Sequence, residues 1–287
     1  MSQFGFMSEI KFYGTPLPGA EVKPYPGKLI VIEGTDGVGR STHIGELRTW
    51  LEAQGYAVAD TGMTRSELAG RGIKEAKLGH TLGKLTMQLF YATDFTDRLD
   101  NEILPALKAG FIVLTDRYIY SAIARAVVRG MDPDWVRDVY GIAIVPDAIF
   151  YLRINSVDDL VMRLLAGGHG FDYWESGMDV RFGEDFYDSF VIYQLKLLKE
   201  FDRMTTEYGF KIVNASRSVA RVAADLRRGV KAVIDGTAIP PQGTGTRTPL
   251  LSSTTVAEQS SDALPIIMPE SLNGSAKKRS KKNLEAK

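Results

Sequence analysis

The chain has 287 residues, 44% of them hydrophobic and 24% charged, the ordinary balance of a globular protein with one large domain or a domain with appendages. Lys plus Arg and Asp plus Glu both number 35, so a bulk cationic surface for wrapping nucleic acid is not expected. There is no cysteine and there are only three histidines, which excludes disulfides, thiolate catalysis and Cys-ligated zinc and argues against a multi-histidine metal centre. No apolar run approaches the length of a membrane span, and the first residues carry no signal-peptide pattern, so the expectation is a soluble cytoplasmic protein.

Residues 1–27 read as an irregular arm, broken by Gly14, Pro16, Pro18, Gly19, Pro24, Pro26 and Gly27. Leu29-Ile30-Val31-Ile32 is too densely apolar for a half-exposed strand and predicts one buried on both faces. Glycines follow at 34, 37 and 39, and then a helix from Arg40 to Glu52 with Ile44, Leu47 and Leu51 on one side. Tyr56 to Ala59 is a modest strand candidate, and 67–77 a short helix. Residues 83–108 give a long helical pattern with Leu85, Leu89, Ala92, Leu99, Ile103 and Leu107 near one face, which Pro105 should kink or break.

Phe111-Ile112-Val113-Leu114 predicts a second buried strand ending at Asp116. Helices follow at about 120–129 and 133–142, then a strand over Ala148-Ile149-Phe150-Tyr151-Leu152 and a helix over about 157–165. Ala166-Gly167-Gly168-His169-Gly170 cannot be a stable helix and reads as a surface loop or the hinge of a mobile lid. Residues 183–206 return to helix, with Phe186, Phe190, Tyr193, Leu197, Phe201 and Met204 forming a stripe that faces a core or a subunit. Phe210 to Val213 is a last strand and 217–229 a closing helix. The succession predicts an α/β fold with a parallel sheet flanked by helices, the ordered unit spanning 28–232. Residues 233–287 read as a disordered tail by composition, ending in the basic Lys277-Lys278-Arg279-Ser280-Lys281-Lys282. That basic end serves either to solubilise or to make weak contact with phosphate-rich polymers or acidic surfaces.

Gly34-Thr35-Asp36-Gly37-Val38-Gly39-Arg40-Ser41 has the spacing of G-x-x-x-x-G-K-S, with arginine in place of lysine. It follows a predicted buried strand and opens a predicted helix, the context in which successive backbone N–H groups and a helix N-terminus attract phosphate. Ser41 is placed to hold Mg²⁺. Arg40 keeps the positive charge of lysine on a bulkier, planar fork. Asp116, at the end of the second buried strand, faces this loop in such an architecture and can hold Mg²⁺ or its water. Arg117 beside it suits a second phosphate group, gripped by both arms of its fork.

With these residues the chain resembles the thymidylate kinase family of nucleoside monophosphate kinases over about residues 28–230. Glu33 to Thr42 is similar to the family's phosphate loop apart from Arg40. Thr64-Arg65 resembles the pair that opens its monophosphate-side loop, Leu89-Phe90-Tyr91-Ala92 the start of the helix lining the acceptor pocket, and Asp116-Arg117-Tyr118 with Ser121 and Ala124 its DRY segment. Asp172 and Glu175 sit near its acidic run after the lid. The resemblance implies a P-loop NTP hydrolase-type fold with a short helical lid. It implies transfer of the γ-phosphoryl of ATP to dTMP, giving dTDP and ADP with Mg²⁺, and a homodimer joined through helices.

On that resemblance, Gly34, Thr35, Asp36, Gly37, Val38, Gly39, Arg40, Ser41 and Thr42 bind ATP, and Asp36, Arg40 and Arg117 are the catalytic set. Arg65, Tyr91, Phe95, Arg117, Ser121 and Arg125 meet the acceptor, and Ser41 and Asp116 the metal. Arg163, His169, Asp172, Glu175 and Arg181 belong to the lid. Phe95 stands where the family usually has an arginine and could stack on a base. Arg125-Ala126 replaces a common Tyr-Gln near the base, and residues 166–180 carry no arginine or lysine. These departures leave open a kinase-like nucleotide-binding regulatory or scaffold protein with weak or no turnover. A simple ATPase or GTPase is the third reading; it has no need of Arg65 and Arg117.

Overall fold

The computed structural model describes residues 10–19, 23–80, 82–168 and 170–237. In chain order it places β1 at Lys28–Glu33, α1 at Arg40–Ala53, β2 at Val58–Gly62, α2 at Gly70–Gly79 and α3 at Lys84–Arg98. A π-type turn at Leu99–Ile103 leads into α4 at Leu104–Lys108, then β3 at Ile112–Asp116, α5 at Ile119–Val128, α6 at Pro133–Val139 and β4 at Ala148–Arg153. The chain continues with α7 at Val157–Ala166, α8 at Phe186–Tyr208, β5 at Lys211–Asn214 and α9 at Val219–Ile234.

The five strands form one sheet in the order β2-β3-β1-β4-β5, every pair parallel. Alternate residues of each strand face opposite layers. Leu29, Val31, Val113, Ile149 and Tyr151 pack with Leu99, Ile123, Leu197 and Phe201 on one face. Ile30, Ile32, Leu114, Phe150 and Leu152 pack with Ile44, Leu47, Leu160 and Leu226 on the other. Two covered faces explain why the strands read as continuous apolar runs. The register sets Ile32 and Gly62 both opposite Asp116, so the C-terminal ends of β1, β2 and β3 meet at one edge. That edge, where the chain leaves β1 toward one side and β3 toward the other, is where sheets of this kind bind ligands.

Three sequence expectations change. β2 begins at Val58 rather than Tyr56 and runs on to Gly62, because its pairing with β3 continues to Asp116. Pro105 marks a division, as expected: α3 ends at Arg98, the π-type turn follows, and Pro105 sits in the first turn of α4, where its missing N–H costs little. Leu85 and Leu89 are 52% and 45% exposed. The buried face of α3 is instead Met87, Gln88, Asp94, Phe95 and Arg98, out of step with those leucines by two residues. The segment between α7 and α8 carries single helical turns, such as Ser176 N–H to Asp172 C=O at 2.9 Å and Arg181 N–H to Gly177 C=O at 2.9 Å, and not a helix.

The α8 stripe faces the core: Phe190, Tyr193, Leu197, Phe201 and Met204 are buried, and only Phe186 is exposed. The described part of the arm is irregular but tied down. Phe12 bridges to Ile144, Val145 N–H donates to Lys11 C=O at 2.7 Å, and the hydroxyls of Tyr13 and Tyr120 lie 2.6 Å apart. α9 extends to Ile234. The remainder of the expected tail from residue 238, with its basic end, lies outside the described residues. No described helix is long and apolar enough to cross a membrane.

Candidate active site

The loop between β1 and α1 folds back over the end of the sheet because its glycines permit what other residues resist. Gly34 and Gly37 have φ of 151° and 73°. A Cβ on Gly34 would stand 2.8 Å from the Leu152 carbonyl oxygen, and one on Gly37 would stand 3.0 Å from the Leu164 side chain. Arg40 is the first residue of α1, and its guanidinium turns back into the loop. It donates to the carbonyls of Gly34, at 2.8 Å, and Thr35, and through Nε to Asp116 at 2.8 Å. Arg40 therefore braces the loop that the lysine of the usual motif would leave to a flexible point charge.

Ser41 Oγ donates to the second oxygen of Asp116 at 2.9 Å. Burial pushes the Asp116 carboxyl up, but Arg40 and Arg117 outweigh it and hold the group below its ordinary range. Ser41 and Asp116 thus bring two hard oxygen donors together at the mouth of the loop. This is the type of set that takes Mg²⁺ with phosphate and water completing its shell.

Arg117 follows Asp116 with φ of 69°, a left-handed backbone at a non-glycine residue. Its surroundings fix it there. Its N–H donates to Ile32 C=O at 3.1 Å, and its C=O accepts from Thr115 Oγ1 at 2.6 Å. Its side chain bonds Asp36, and Ser121 Oγ at 3.1 Å. Behind it stands Glu33, fully buried at the end of β1. The Glu33 carboxylate accepts from Tyr118 N–H at 2.8 Å, Ser121 N–H at 3.2 Å and Ser121 Oγ at 2.6 Å, so it caps α5 and anchors the segment that carries Arg117. Burial raises the Glu33 carboxyl above its usual range.

Asp36 is the hub. Arg117 holds one oxygen, and Arg125 from α5 bonds both, at 2.8 and 2.7 Å. Burial would raise its carboxyl, but Arg117, Arg125 and Arg40 hold it far below the carboxylate range. Arg117, buried and beside Arg40, is lowered to about 10 and stays cationic near neutrality.

A cavity of about 300 Å³ opens between the glycine loop, the Thr64–Arg65 loop, Tyr91 and the segment after α7. Arg40, Arg65, Lys77, Arg117 and Arg125 border it, against Asp36, Asp116 and Glu175. The excess of cationic groups suits a multiply charged anion. The Thr64–Arg65 loop is pinned from beneath. Asp94, fully buried, accepts from Thr64 N–H at 2.9 Å and Ser66 N–H at 3.0 Å and pairs with Arg98 at 3.0 Å. Glu175 is raised to about 7, mainly by the charge of Asp36 and then by burial.

The structure thus brings together Asp36, Gly37, Arg40, Arg65, Tyr91, Asp116, Arg117, Arg125 and Glu175 from the sequence-derived set, while Ser121 acts from behind Arg117. Phe95 does not reach the cavity. It is 3% exposed and packs edge-on against Tyr118 and Tyr140, so the expected base stacking is corrected to a core role. Arg163 donates to Ala215 C=O at 2.6 Å, Asp172 caps the turn that carries Glu175, and Arg181 is exposed; none of the three borders the cavity. Val38 is a core residue and Thr42 lies exposed on α1. His169 lies outside the described residues. Lys77, Glu33 and Asp94 were missed by sequence reasoning. For Lys77 no local signal marks it off from other lysines of an exposed helix, whereas a glutamate beside the glycine loop was there to be weighed.

A strand, a glycine loop with a cation braced in it, a helix, and an acidic strand end facing them define a P-loop α/β protein. The comparisons narrow this further. The family model described as thymidylate kinase matches residues 32–226. A probable thymidylate kinase 2 of Saccharolobus solfataricus is 36% identical over 210 residues, 73% of this chain and 98% of that protein. A probable thymidylate kinase of Pyrococcus abyssi is 31% identical over 71% of this chain and 96% of its own length, and the thymidylate kinase of Akkermansia muciniphila 38% identical over 45% and 63%. The chain belongs to the thymidylate kinase family.

Proposed function

We propose that this protein transfers the γ-phosphoryl of ATP to dTMP, giving dTDP and ADP. The observation that carries the reading is the double grip on Asp36. It holds Arg117 and Arg125 on one carboxylate, in a cavity that Arg65 also borders. A hydrolase has no use for a second anion site of this kind; a phosphotransferase needs one for its acceptor.

The loop amides and the start of α1 receive the donor phosphates. Arg65 and Arg117 meet the acceptor phosphate. That phosphate is largely dianionic at pH 7, so its attacking oxygen needs no base. Asp36, held anionic by its arginines, orients them and offers an acceptor to a sugar hydroxyl. Ser41 and Asp116 would hold Mg²⁺, which when bound neutralises charge on the phosphates. Glu175 borders the cavity, and its turn would exclude water, the competing acceptor. Leu85 and Leu89, one turn apart and exposed on α3, with Leu78 exposed on α2, support self-association into a homodimer, which sedimentation of the purified chain tests.

The function is tested with a panel of nucleoside monophosphates, ATP and Mg²⁺, with ADP and nucleoside diphosphate measured together. Equal release of ADP and dTDP, dependent on dTMP, is the expected result. ADP without acceptor dependence identifies an ATPase, and nucleotide binding with no ADP identifies a binding protein.

A further inference from the structure

The charged cavity adjoins a second one across Tyr91 and Arg125, which border both. The second holds about 280 Å³ between α3, the α5 end and the Tyr173–Trp174 turn. Met87, Tyr91, Ala126, Met131 and Trp174 give it an apolar wall, suited to a flat ring. Gln88 is set into that wall and is 4% exposed. Its Nε2 donates to the Tyr140 hydroxyl at 2.8 Å, and Tyr140 is itself locked edge-on against Phe95. In the structure the amide nitrogen faces Tyr140, which leaves the carbonyl oxygen as the group for the cavity. Arg125 spends one amino nitrogen on Asp36 and has further N–H donors on the wall that the two cavities share.

We propose that Gln88 is a specificity-determining residue. Its Oε1 accepts the ring N3–H of a 4-oxopyrimidine base on the acceptor nucleotide, while Arg125 donates to a neighbouring ring carbonyl. This rests on the phosphoryl-acceptor reading above. The chemistry is directional. Thymine and uracil present a donor flanked by two acceptors. Cytosine presents a lone pair at N3, which meets the Gln88 oxygen lone pair to lone pair. A buried acceptor left unpaired is costly, so a site of this kind discriminates by about 10²-fold or more between ligands that differ in one such group.

The test is kcat/KM with dTMP, dUMP, dCMP and N3-methyl-dTMP, for the wild type, Gln88→Leu and Gln88→Ala. The wild type is expected to use dTMP and dUMP and to disfavour dCMP and N3-methyl-dTMP by about 10²-fold or more. Both variants are expected to lose activity on dTMP, to narrow the gap between dTMP and its N3-methyl form to less than about tenfold, and to keep the KM for ATP. An unchanged gap in a folded variant overturns the inference. So does a wild type that uses N3-methyl-dTMP as well as dTMP, a result that needs no variant to fold. Phosphoryl transfer to dTMP without N3 dependence sinks this inference alone; no transfer to any monophosphate sinks the proposed function with it.

Discussion

Arg125 on α5 bonds both oxygens of Asp36 in the glycine loop, at 2.8 and 2.7 Å. The loop at one sheet edge is thereby fastened to a helix some 90 residues further along the chain. The same carboxylate takes Arg117, so a single acidic group holds two of the cations that border the charged cavity.

Arg125→Ala removes one of these cations and leaves Asp36 with Arg117. Breaking a buried ion pair costs about 3–5 kcal/mol, and the retained partner puts the expected loss of stability near or below the low end of that range. The KM for the acceptor should rise at least about tenfold, with the KM for ATP little changed, and Arg125→Lys should restore part of the loss. Urea unfolding and steady-state kinetics measure both; an unaltered acceptor KM would remove Arg125 from the site.

Arg117→Ala takes away a cation that borders the charged cavity, and under the proposed reaction kcat/KM should fall by at least about 10²-fold, the usual size for one oriented donor. Glu33→Gln tests the support behind it. The amide oxygen can keep the Tyr118 and Ser121 N–H bonds while its NH₂ meets Ser121 Oγ, which then loses its carboxylate acceptor. An intermediate loss is expected, carried by the acceptor KM and absent from the KM for ATP. Equal losses for both nucleotides would make Glu33 a general stability residue.

Arg40 joins two loop carbonyls and Asp116 at once, which requires a planar fork. Arg40→Lys keeps the charge and loses part of the brace. Turnover should stay within about tenfold of wild type, while Arg40→Ala should lose about 10²-fold or more. Parallel assays decide; a lysine variant as poor as the alanine one would show that the fork itself is needed.

Glu175 gives a pH signature. Its carboxyl is raised from 4.5 to about 7 in the folded protein, so the folded state binds the extra proton between those values. Its contribution to stability is present at low pH and is lost as pH rises through about 7. Glu175→Gln mimics the protonated form at every pH. Its Tm should match wild type near pH 4 and exceed it at pH 8, in thermal melts at constant ionic strength. A constant Tm difference across that interval would contradict the assigned environment.

The strands and the glycine loop were legible because their signals are local. β1, β3 and β4 are apolar runs, and the loop's spacing, strand and helix are adjacent in sequence. Phe95 was misread because residues one position apart on α3 look toward different surroundings, the cavity or the core, and spacing alone does not say which. Leu85 and Leu89 fit a helical period equally well, yet the buried face is the one that carries Asp94 beneath the Thr64–Arg65 loop. The π-type turn before Pro105 then shifts the phase of the stripe. Lys77 reaches the cavity from a segment with no motif of its own.

Sequence by itself determined the alternating α/β order, the phosphate-binding loop with its arginine, and the acid–arginine pair at the end of β3. Each depends on backbone dihedrals, apolar density or immediate neighbours, which a short stretch of chain specifies. Tertiary structure decided which cations converge. Asp36 with Arg125, Glu33 with Ser121 and Asp94 with Thr64 join residues far apart in the chain, and only the parallel register of β1, β2 and β3 brings their carriers to one edge. Burial there makes every charge answer to its neighbours, so roles follow from packing in space and not from residue type alone.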